Sequence, residues 1–397
     1  MTMKRVKLLA HEEIVQAALQ ELQGNIAAIL DSIVAIQQIP APTFAEAERA
    51  SYMRAQFEAL GLQDVEEDSL HNVYGRFPAA SSAERPPVVV SAHLDTVFPA
   101  GTALPARRNG RFLYGPGIGD NATGLAGLLA LARTLTTYHF SLPADVWLVA
   151  NVGEEGLGDL CGMRAVVKRF GQQARYIIVE GGLYGQISHQ AIGVRRFRIE
   201  IEAPGGHSWG NFGNASAVHE LGKIIAQITS LSVPQNPKTT YNVGVIEGGT
   251  SINTIAQTAS MLLDLRSEAP EALAELETAV REIVAQANET AKHKHTGVRV
   301  TMEQIGNRPA GSIPRQSPLV KMAVAALHQV GCSRVSYIAS STDANIPLSQ
   351  GIPAVCIGLA ESGNAHRLDE YLDVTHLPNG LAQLLLLTLA AARYATS

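Results

Sequence analysis

Residues 86–96 read PPVVVSAHLDT, an apolar run that leads directly into two polar side chains. The valine run is short, β-branched and preceded by prolines, which is typical of a strand buried on both faces of a sheet. His93 and Asp95 follow it, and in doubly wound sheets ligands bind beyond the carboxyl ends of the strands. The stretch therefore predicts an α/β sheet with a functional site at one edge.

The chain on either side repeats this alternation of strands and helices. Further strands are expected at residues 145–151, 176–179, 335–338 and 354–357. Helices are expected at residues 121–135 and 162–170, from Ser317 onward and at the carboxyl end. Thr43-Phe-Ala-Glu46 has the capping-box pattern, which predicts the start of a helix that ends near Gly61. The alternation indicates a doubly wound mixed sheet with helices on both faces.

The pattern changes after Gly182. Residues 194–201 alternate polar and apolar side chains, as a half-exposed strand does. From there to Gln304 the predicted elements follow the order β-α-β-β-α-β, which is typical of a ferredoxin-like α+β domain. We therefore expect an inserted domain at residues 184–304 and a discontinuous sheet domain built from residues 1–183 and 305–397.

Composition excludes several classes of protein. Of the 397 residues 46% are hydrophobic and 17% charged, with a formal net charge of −5, so neither disorder nor a basic nucleic-acid-binding surface is expected. The most apolar tract, residues 381–392, is about twelve residues long, whereas a membrane span needs roughly twenty. We interpret it as a buried helix of a soluble chain with no membrane partner. Three isolated cysteines, Cys161, Cys332 and Cys356, favour the reducing cytoplasm.

Five loops after predicted strands each carry a side chain that could bind a metal ion. These residues are His93, Asp120, Glu155, Glu180 and His366. Taken singly, each has a structural explanation, such as a helix N-cap for Asp120. Five such loops at one sheet edge instead predict a metal site. The glycine-rich loop before Asp120 begins like a dinucleotide fingerprint, but it lacks the third glycine and the preceding strand, so nucleotide binding is the weaker alternative.

The charges of these ligands favour two metal ions. The two histidines are neutral and the three carboxylates are negative, so two divalent ions with one bridging hydroxide make a nearly neutral cluster. Two ions roughly 3.5–4 Å apart need a shared ligand, and Asp120 can offer one oxygen to each. The nitrogen and oxygen ligands suit two zinc ions, with cobalt or manganese as substitutes. Glu154 is the candidate general base, and Asp95 the residue that orients His93.

These motifs resemble those of the M20 metallopeptidase family, in its order and spacing. The matching segments are His93-Leu-Asp95, Gly119-Asp120-Asn121, Glu154-Glu155, Glu180 and Ala365-His366. The family includes carboxypeptidase G2-like enzymes, acetylornithine and succinyl-diaminopimelate deacylases, and aminoacylases. The resemblance implies a dinuclear zinc hydrolase of amide bonds, with an inserted lid and dimerisation domain and a cis peptide after Asp120. It assigns the bridge to Asp120, one zinc to His93 and Glu180, the other to Glu155 and His366, and the base to Glu154.

Three residues of the inserted domain also match. Gly205-Gly206-His207-Ser208 resembles the lid motif whose histidine, in dimeric members, reaches the neighbouring subunit's site and stabilises the developing oxyanion. A turn histidine is the structural alternative. Asn253 and Arg266 resemble the residues that hold the carboxylate of the substrate, although Arg266 could instead be a surface residue at a strand end. The resemblance thus implies a homodimer formed through the lid domain.

The sequence leaves the substrate open. We expect a carboxypeptidase-like exopeptidase that cleaves small peptides, with an N-acyl amino acid deacylase as the alternative and a catalytically inactive small-molecule-binding homologue as a remote one. Gly181-Gly182 departs from the proline or single glycine that many members have after the glutamate ligand, which affects the expected substrate wall rather than the ligand. Glu rather than Asp at position 180 resembles the carboxypeptidase and deacylase branches.

Overall fold

The computed structural model describes residues 2–80 and 85–394, and the chain divides into two compact units. Unit 1 comprises Met1–Ala191 and Ser312–Ser397, and unit 2 comprises Ile192–Gly311. These boundaries differ from the expected 184–304 because the strand at Gln186–Ala191 still pairs with strands of unit 1. The expected mixed α/β class is confirmed.

The elements are numbered here in chain order. The α-helices of the described residues are α1 (Thr2–Ala10), α2 (Glu13–Gly24), α3 (Ile26–Gln37), α4 (Ala47–Ala59), α5 (Thr123–Thr137), α6 (Cys161–Phe170), α7 (Ala217–Thr229), α8 (Pro270–His293), α9 (Pro318–Gln329), α10 (Asn345–Ser349) and α11 (Leu377–Arg393). The first ten strands are β1 (Gln63–Glu67), β2 (Val73–Phe77), β3 (Val88–His93), β4 (Arg107–Asn109), β5 (Phe112–Tyr114), β6 (Val146–Asn151), β7 (Arg175–Glu180), β8 (Gln186–Ala191), β9 (Gly193–Glu202) and β10 (Gly206–His207). The others are β11 (Thr239–Gly248), β12 (Thr254–Ile255), β13 (Thr258–Ser267), β14 (Arg299–Arg308), β15 (Gly311–Ser312), β16 (Ser336–Ser340), β17 (Ala354–Gly358), β18 (Glu361–Gly363) and β19 (Tyr371–Asp373).

The central sheet of unit 1 has the strand order β1-β2-β6-β3-β7-β17-β8. The four inner strands β6, β3, β7 and β17 are parallel, whereas β2 pairs antiparallel with β6 and β8 pairs antiparallel with β17, which makes the sheet mixed. Every residue of β3 and β7 is buried, as their continuous apolar sequence predicts. The carboxyl ends of the four parallel strands therefore share one edge of the sheet.

A second, smaller sheet of unit 1 has the order β18-β19-β5-β4 and is antiparallel. Its strands are only three residues long, too short to show a period in the sequence, and sequence analysis missed them. β5 leads into the loop at residues 115–120, and the β18–β19 hairpin carries the loop at residues 364–370. This sheet therefore holds the two loops beside each other.

The capping-box prediction at Thr43-Phe-Ala-Glu46 is wrong. α4 begins at Ala47 without a side-chain cap. Thr43 Oγ1 instead donates a hydrogen bond to Asp95 at 2.9 Å, and the Glu46 carboxylate accepts one from the backbone N–H of Gly153 at 3.1 Å. Contacts with the loops after β3 and β6 have replaced the local cap that the pattern predicts.

The carboxyl-terminal helix belongs to the core of unit 1. The segment Val374–Arg393 is long and apolar enough to cross a membrane by length and composition alone, but 72% of its apolar 18-residue window is buried inside the protein. α11 packs against α1, α5 and α9, and nearly every residue from Leu381 to Ala392 is inaccessible. Its apolar surface on all sides is explained by this burial, as expected from the sequence.

Unit 2 has one antiparallel sheet of strand order β11-β13-β9-β14, against which α7 and α8 pack. The order of elements is the predicted β-α-β-β-α-β, and the sheet order is that of a ferredoxin-like fold. Phe197, Ile199 and Ile201 alternate with exposed residues along β9 and enter the core of the unit. The apolar residues that recur at every second position of this strand therefore lie on the side of the sheet that the helices cover.

Candidate metal centre

The ends of β3 and β7 bring the first pair of candidate ligands together. His93 is the last residue of β3 and Glu180 the last of β7, and the two strands are parallel neighbours. His93 Nε2 lies 3.7 Å from Glu180 Oε2, and both side chains are largely buried. Strand ends alone therefore account for this half of the site.

Asp120 joins two histidines from distant parts of the chain. It lies in a kinked turn just before α5 (φ −117°, ψ 89°), and its peptide bond to Asn121 is cis, as the family resemblance implies. Asp120 Oδ1 is 3.0 Å from His93 Nε2, and Asp120 Oδ2 is 3.1 Å from His366 Nε2. Each oxygen of the carboxylate thus faces a different imidazole.

His366 approaches from the hairpin loop between β18 and β19, which belongs to the small sheet. Its Nε2 lies 3.2 Å from Glu155 Oε1 in addition to its contact with Asp120. Its side chain is half exposed, whereas Glu155 is buried. His366 is therefore the candidate ligand that solvent reaches most easily.

Asp95 organises the loop that follows β6. Its buried carboxylate accepts hydrogen bonds from the backbone N–H groups of Glu154 and Glu155, each at 2.9 Å. His93 Nδ1 lies 3.0 Å from the backbone oxygen of Asp95 and 3.4 Å from its Oδ1. The main-chain oxygen is thus the nearer partner of the imidazole, and the carboxylate mainly positions the two glutamates.

The candidate ligands shift one another's pKa values. Burial opposes the charged form of His93, but hydrogen bonds with Asp120 and other carboxylates raise the pKa of its imidazole well above the ordinary value. Hydrogen bonds with Asp120 and Glu155 raise the pKa of His366 to about 10. Burial opposes ionisation of Asp120, yet its bonds with His366 and His93 hold the pKa of its carboxyl below the usual range. Burial raises the pKa of Glu180.

The donor set fits two metal ions. Two groups of side chains, His93 with Asp120 and Glu180, and Asp120 with Glu155 and His366, each place their donor atoms within 4.8 Å of one another. Asp120 belongs to both groups, which is the property of a bridging ligand. A third group contains His93, Glu155 and the buried Glu154. Imidazole and carboxylate donors of this kind suit zinc and related divalent ions.

Sequence analysis missed several buried charged residues around this centre. Arg49 of α4 is 1% exposed, and its guanidinium donates to the backbone oxygens of Leu94 at 2.7 Å and Ile39 at 3.1 Å. Burial lowers the pKa of Arg49 to about 10, while the nearby Asp95 opposes that shift. A buried cation thus lies close to a cluster rich in carboxylates. An arginine in a helix gave no signal in the sequence, because its partners are backbone atoms of other elements.

Two further acids were missed. Asp343 is fully buried and accepts a hydrogen bond from Asn151 Nδ2 at 2.7 Å. Burial raises the pKa of Asp343 to about 7, and the charge of Glu180 adds to this. Glu370 is buried, with a pKa also raised to about 7 by burial and by the charge of Asp120. Asp343 follows β16 as the candidate ligands follow other strands, and that position was the one signal that could have identified it.

The three candidate residues of unit 2 do not form one group. The hydrogen-bonded pair β10–β12 joins the loops of His207 and Asn253, and Ser208 N–H donates to Asn253 O at 3.0 Å. Arg266 lies near the far end of β13, eight residues beyond Thr258, which is about 27 Å along an extended strand. Its guanidinium donates two hydrogen bonds to Asp264. His207 and Asn253 are therefore neighbours, and Arg266 is not near them within one unit.

Comparison with known proteins gives consistent matches. Residues 89–390 match the family described as Peptidase family M20/M25/M40. The chain is 24% identical over 367 residues to the uncharacterized protein YqjE of Bacillus subtilis, covering 88% of this chain and 94% of that one. It is 25% identical over 378 residues to succinyl-diaminopimelate desuccinylase of Corynebacterium glutamicum, covering 92% and 98%. A tripeptidase structure from Staphylococcus aureus has the same fold, with a TM-score of 0.77, 23% identity and coverage of 92% and 98%.

Proposed function

This chain belongs to peptidase family M20/M25/M40 and is a hydrolase of the peptidase and amidohydrolase type, and we propose that it is a dinuclear zinc exopeptidase that cleaves small peptides in the manner of a carboxypeptidase. The observation that carries this proposal is the geometry of Asp120, whose two oxygens each face a different histidine. One zinc would be held by His93, Asp120 and Glu180, and the other by Asp120, Glu155 and His366.

Glu154 is the proposed general base. Bound divalent ions supply Lewis acidity, which polarises the scissile carbonyl and makes a water molecule more acidic. Glu154 lies in the same cluster as His93 and Glu155, and Asp95 holds its backbone N–H. Its carboxylate would accept the proton of the attacking water and later give it to the leaving amine.

His207 is proposed to donate a hydrogen bond to the developing oxyanion. The backbone N–H groups of Trp209 and Gly210 both point at His207 Nδ1, at 3.3 Å. Nδ1 is therefore the acceptor nitrogen, so the neutral ring carries its proton on Nε2, where it is free to be donated. This tautomer is the one that oxyanion stabilisation needs.

Asn253 and Arg266 are proposed to hold the carboxylate of the substrate, and this favours a homodimer. Because about 27 Å of β13 separates Arg266 from the start of that strand, one unit 2 does not bring both residues to one carboxylate. Two copies could do so if one supplies His207 and Asn253 and the other supplies Arg266. The guanidinium of Arg266 would then release the carboxylate of Asp264 and bind the carboxylate of the substrate instead.

N-acyl amino acid deacylation is the second candidate function. The match to a succinyl-diaminopimelate desuccinylase favours it, since that relative is covered almost completely. The attack on an amide carbonyl is the same in both reactions, and only the group beyond the carbonyl differs. A catalytically inactive binding homologue remains a remote alternative, because the chain has all the proposed ligands and the proposed base.

We also propose a cytoplasmic location, because all three cysteines are free thiols.

A substrate panel with defined metal content tests the proposal. The purified chain is stripped with a chelator, loaded with zinc and assayed on dipeptides with free and with amidated carboxyl ends, and on N-acetyl and N-succinyl amino acids. We expect zinc-dependent hydrolysis of dipeptides that requires the free carboxylate. Faster turnover of the acylated amino acids would favour the deacylase instead. A chain that binds less than one zinc ion and hydrolyses nothing would contradict both functions.

A further inference from the structure

Glu370 has an arrangement that none of the proposed catalytic steps uses. Its side chain is 1% exposed, and it ends the hairpin loop that carries His366. Its Oε2 accepts a hydrogen bond from the backbone N–H of Gly117 at 2.8 Å. Its Oε1 accepts from the N–H groups of Gly119 at 2.8 Å and Asp120 at 2.9 Å. One buried carboxylate thus binds three amides of the segment that ends in Asp120.

These contacts are specific. A buried carboxyl group is tolerated only when its oxygens have hydrogen-bond partners, and here both oxygens accept from backbone N–H groups. The backbone adds a fourth link, because Gly115 N–H donates to Glu370 O at 3.0 Å. The pairing of β5 with β19 continues it. The loop at residues 115–120 and the loop at residues 364–370 are therefore linked by several hydrogen bonds.

The glycines of the segment permit this approach. Gly117 has a φ of +72°, in the left-handed region that favours glycine. A Cβ atom on Gly119 would lie 3.1 Å from Glu370 Oε1 and 2.9 Å from the Cβ of Ser362. A larger residue at position 119 would thus crowd the carboxylate that binds the segment.

We infer that Glu370 is a positioning residue that aligns Asp120 with His366 for metal binding. The loop that Glu370 ends carries His366, and the segment it binds carries Asp120. The contacts of Glu370 therefore help to fix the 3.1 Å separation between His366 Nε2 and Asp120 Oδ2. Such preorganisation lowers the cost of ordering the ligands, so it increases metal affinity. The inference rests on the proposed function, because that proposal identifies Asp120 and His366 as metal ligands. The hydrogen bonds between Glu370 and the backbone amides do not depend on it.

Two variants and a matched control test the inference. Glu370→Gln keeps the shape but turns an amide N–H₂ toward at least one of the three N–H donors. Gly119→Ala leaves the carboxylate intact and crowds its approach. Glu361→Gln is the control, since it makes the same substitution at an exposed site close to the same loop. Metal affinity is measured by equilibrium dialysis with Zn²⁺ alone, and amide hydrogen exchange is followed in the metal-free chain.

We expect both test variants to weaken zinc binding by about 10–100-fold, the usual effect of removing a group that orients a ligand, while Glu361→Gln leaves it unchanged. Exchange of the amides at Gly117, Gly119 and Asp120 should accelerate, with exchange of the buried strand β3 unaltered. A purely structural role would instead accelerate exchange throughout unit 1. Zinc affinity within twofold of the unchanged chain in both variants would overturn the inference. If the Glu370→Gln variant does not fold, the zinc affinity and amide exchange of the Gly119→Ala variant decide whether the inference holds.

The two proposals fail separately. If the unchanged chain binds no divalent ion, the proposed function is contradicted. In that case the exchange data still show whether Glu370 holds the segment of Asp120. If the chain binds two zinc ions and the variants bind them equally well, only the role of Glu370 is contradicted.

Discussion

At the scale of single residues, Asp120 is the centre of the site. Its two oxygens lie 3.0 and 3.1 Å from imidazole nitrogens that are 273 positions apart in sequence, at His93 and His366. A carboxylate shared in this way suits two cations, because each takes one oxygen. Glu154 differs from the ligands, since its proposed task is to move protons. The ligands and the base can therefore be separated by experiment.

We expect Glu154→Gln to lower kcat by roughly 10²–10⁴-fold, the usual contribution of a general base. The amide cannot accept the proton of the attacking water, but the five proposed ligands are unchanged. Zinc content by atomic absorption should therefore equal that of the unchanged chain. Glu58→Gln, an exposed carboxylate paired with Arg54 on α4, is the matched control and should retain full activity. A Glu154→Gln chain with normal turnover would contradict the assigned role.

The raised pKa values of the two histidines predict that zinc binding releases protons. The pKa of His366 is about 10 and that of His93 is well above ordinary, so both imidazoles hold a proton at neutral pH. A metal ion binds only the neutral ring, so binding should release one proton from each of the two imidazoles, in addition to the proton lost by the water that becomes the proposed bridging hydroxide. Affinity should rise with pH up to the pKa of the histidines and fall in acid. Calorimetry in buffers of different ionisation enthalpy measures the number of protons released when zinc binds. The His366→Ala variant should release fewer protons than the unchanged chain. Binding without proton release would contradict the prediction.

At the scale of elements, the site depends on short segments that support the ends of long ones. β3 and β7 deliver His93 and Glu180, but β5, β18 and β19, each three residues long, hold the loops of Asp120 and His366. α4 contributes Arg49, whose guanidinium binds the backbone oxygen of Leu94 between His93 and Asp95. Support from α4 is thus both electrostatic and geometric.

We expect Arg49→Met to lower the free energy of unfolding by about 3–5 kcal/mol, because it leaves buried backbone oxygens unpaired and removes a buried cation that the charges of Asp95 and Glu46 favour. The matched control is Arg54→Met on the same helix, where an exposed ion pair with Glu58 contributes less than about 1 kcal/mol. Urea denaturation of the metal-free chain measures both. Equal stability of the two variants would show that the buried guanidinium is not needed.

At the scale of the whole molecule, the chain has two units, for which different roles are proposed. Unit 1 carries every proposed metal ligand and the base, whereas unit 2 carries His207, Asn253 and Arg266. Within unit 2 the first two lie together and the third lies at the other end of β13. Two copies of the chain are therefore the proposed active form.

Mixing two inactive variants tests whether His207 acts in the partner's site. A heterodimer of His207→Ala with Glu154→Gln has one site with both groups intact if His207 acts across the dimer, and none if it acts within its own chain. Random exchange of subunits should then restore about a quarter of full activity, because half of the dimers are mixed and each has one complete site. Light scattering confirms the dimer before and after mixing. No recovery from a dimer that exchanges would contradict action across the interface.

The strongest predictions from sequence concern the parts with local signals. Buried valine and isoleucine runs identified β3, β6, β7 and β17, and the order of elements identified the ferredoxin-like unit 2. Residues at strand ends, such as His93 and Glu180, were identified because a parallel sheet collects such ends at one edge. The family resemblance was confirmed by the match over residues 89–390. Strand ends and the order of elements can be predicted from local sequence patterns, without knowing which distant residues are in contact.

Other parts of the site were decided by tertiary structure alone. Glu370 binds backbone N–H groups some 250 positions earlier in the chain, and Arg49 binds a carbonyl 45 positions later. Thr43 has the pattern of a helix cap but donates to Asp95 instead. The partners of Glu370 and Arg49 are main-chain atoms, which are the same for every residue type and leave no mark in the sequence. The partner of Thr43 is a side chain 52 positions later, which a local pattern does not reveal. The sequence thus determines which strands form and which candidate ligands end them, whereas the tertiary packing decides which buried groups contact those residues.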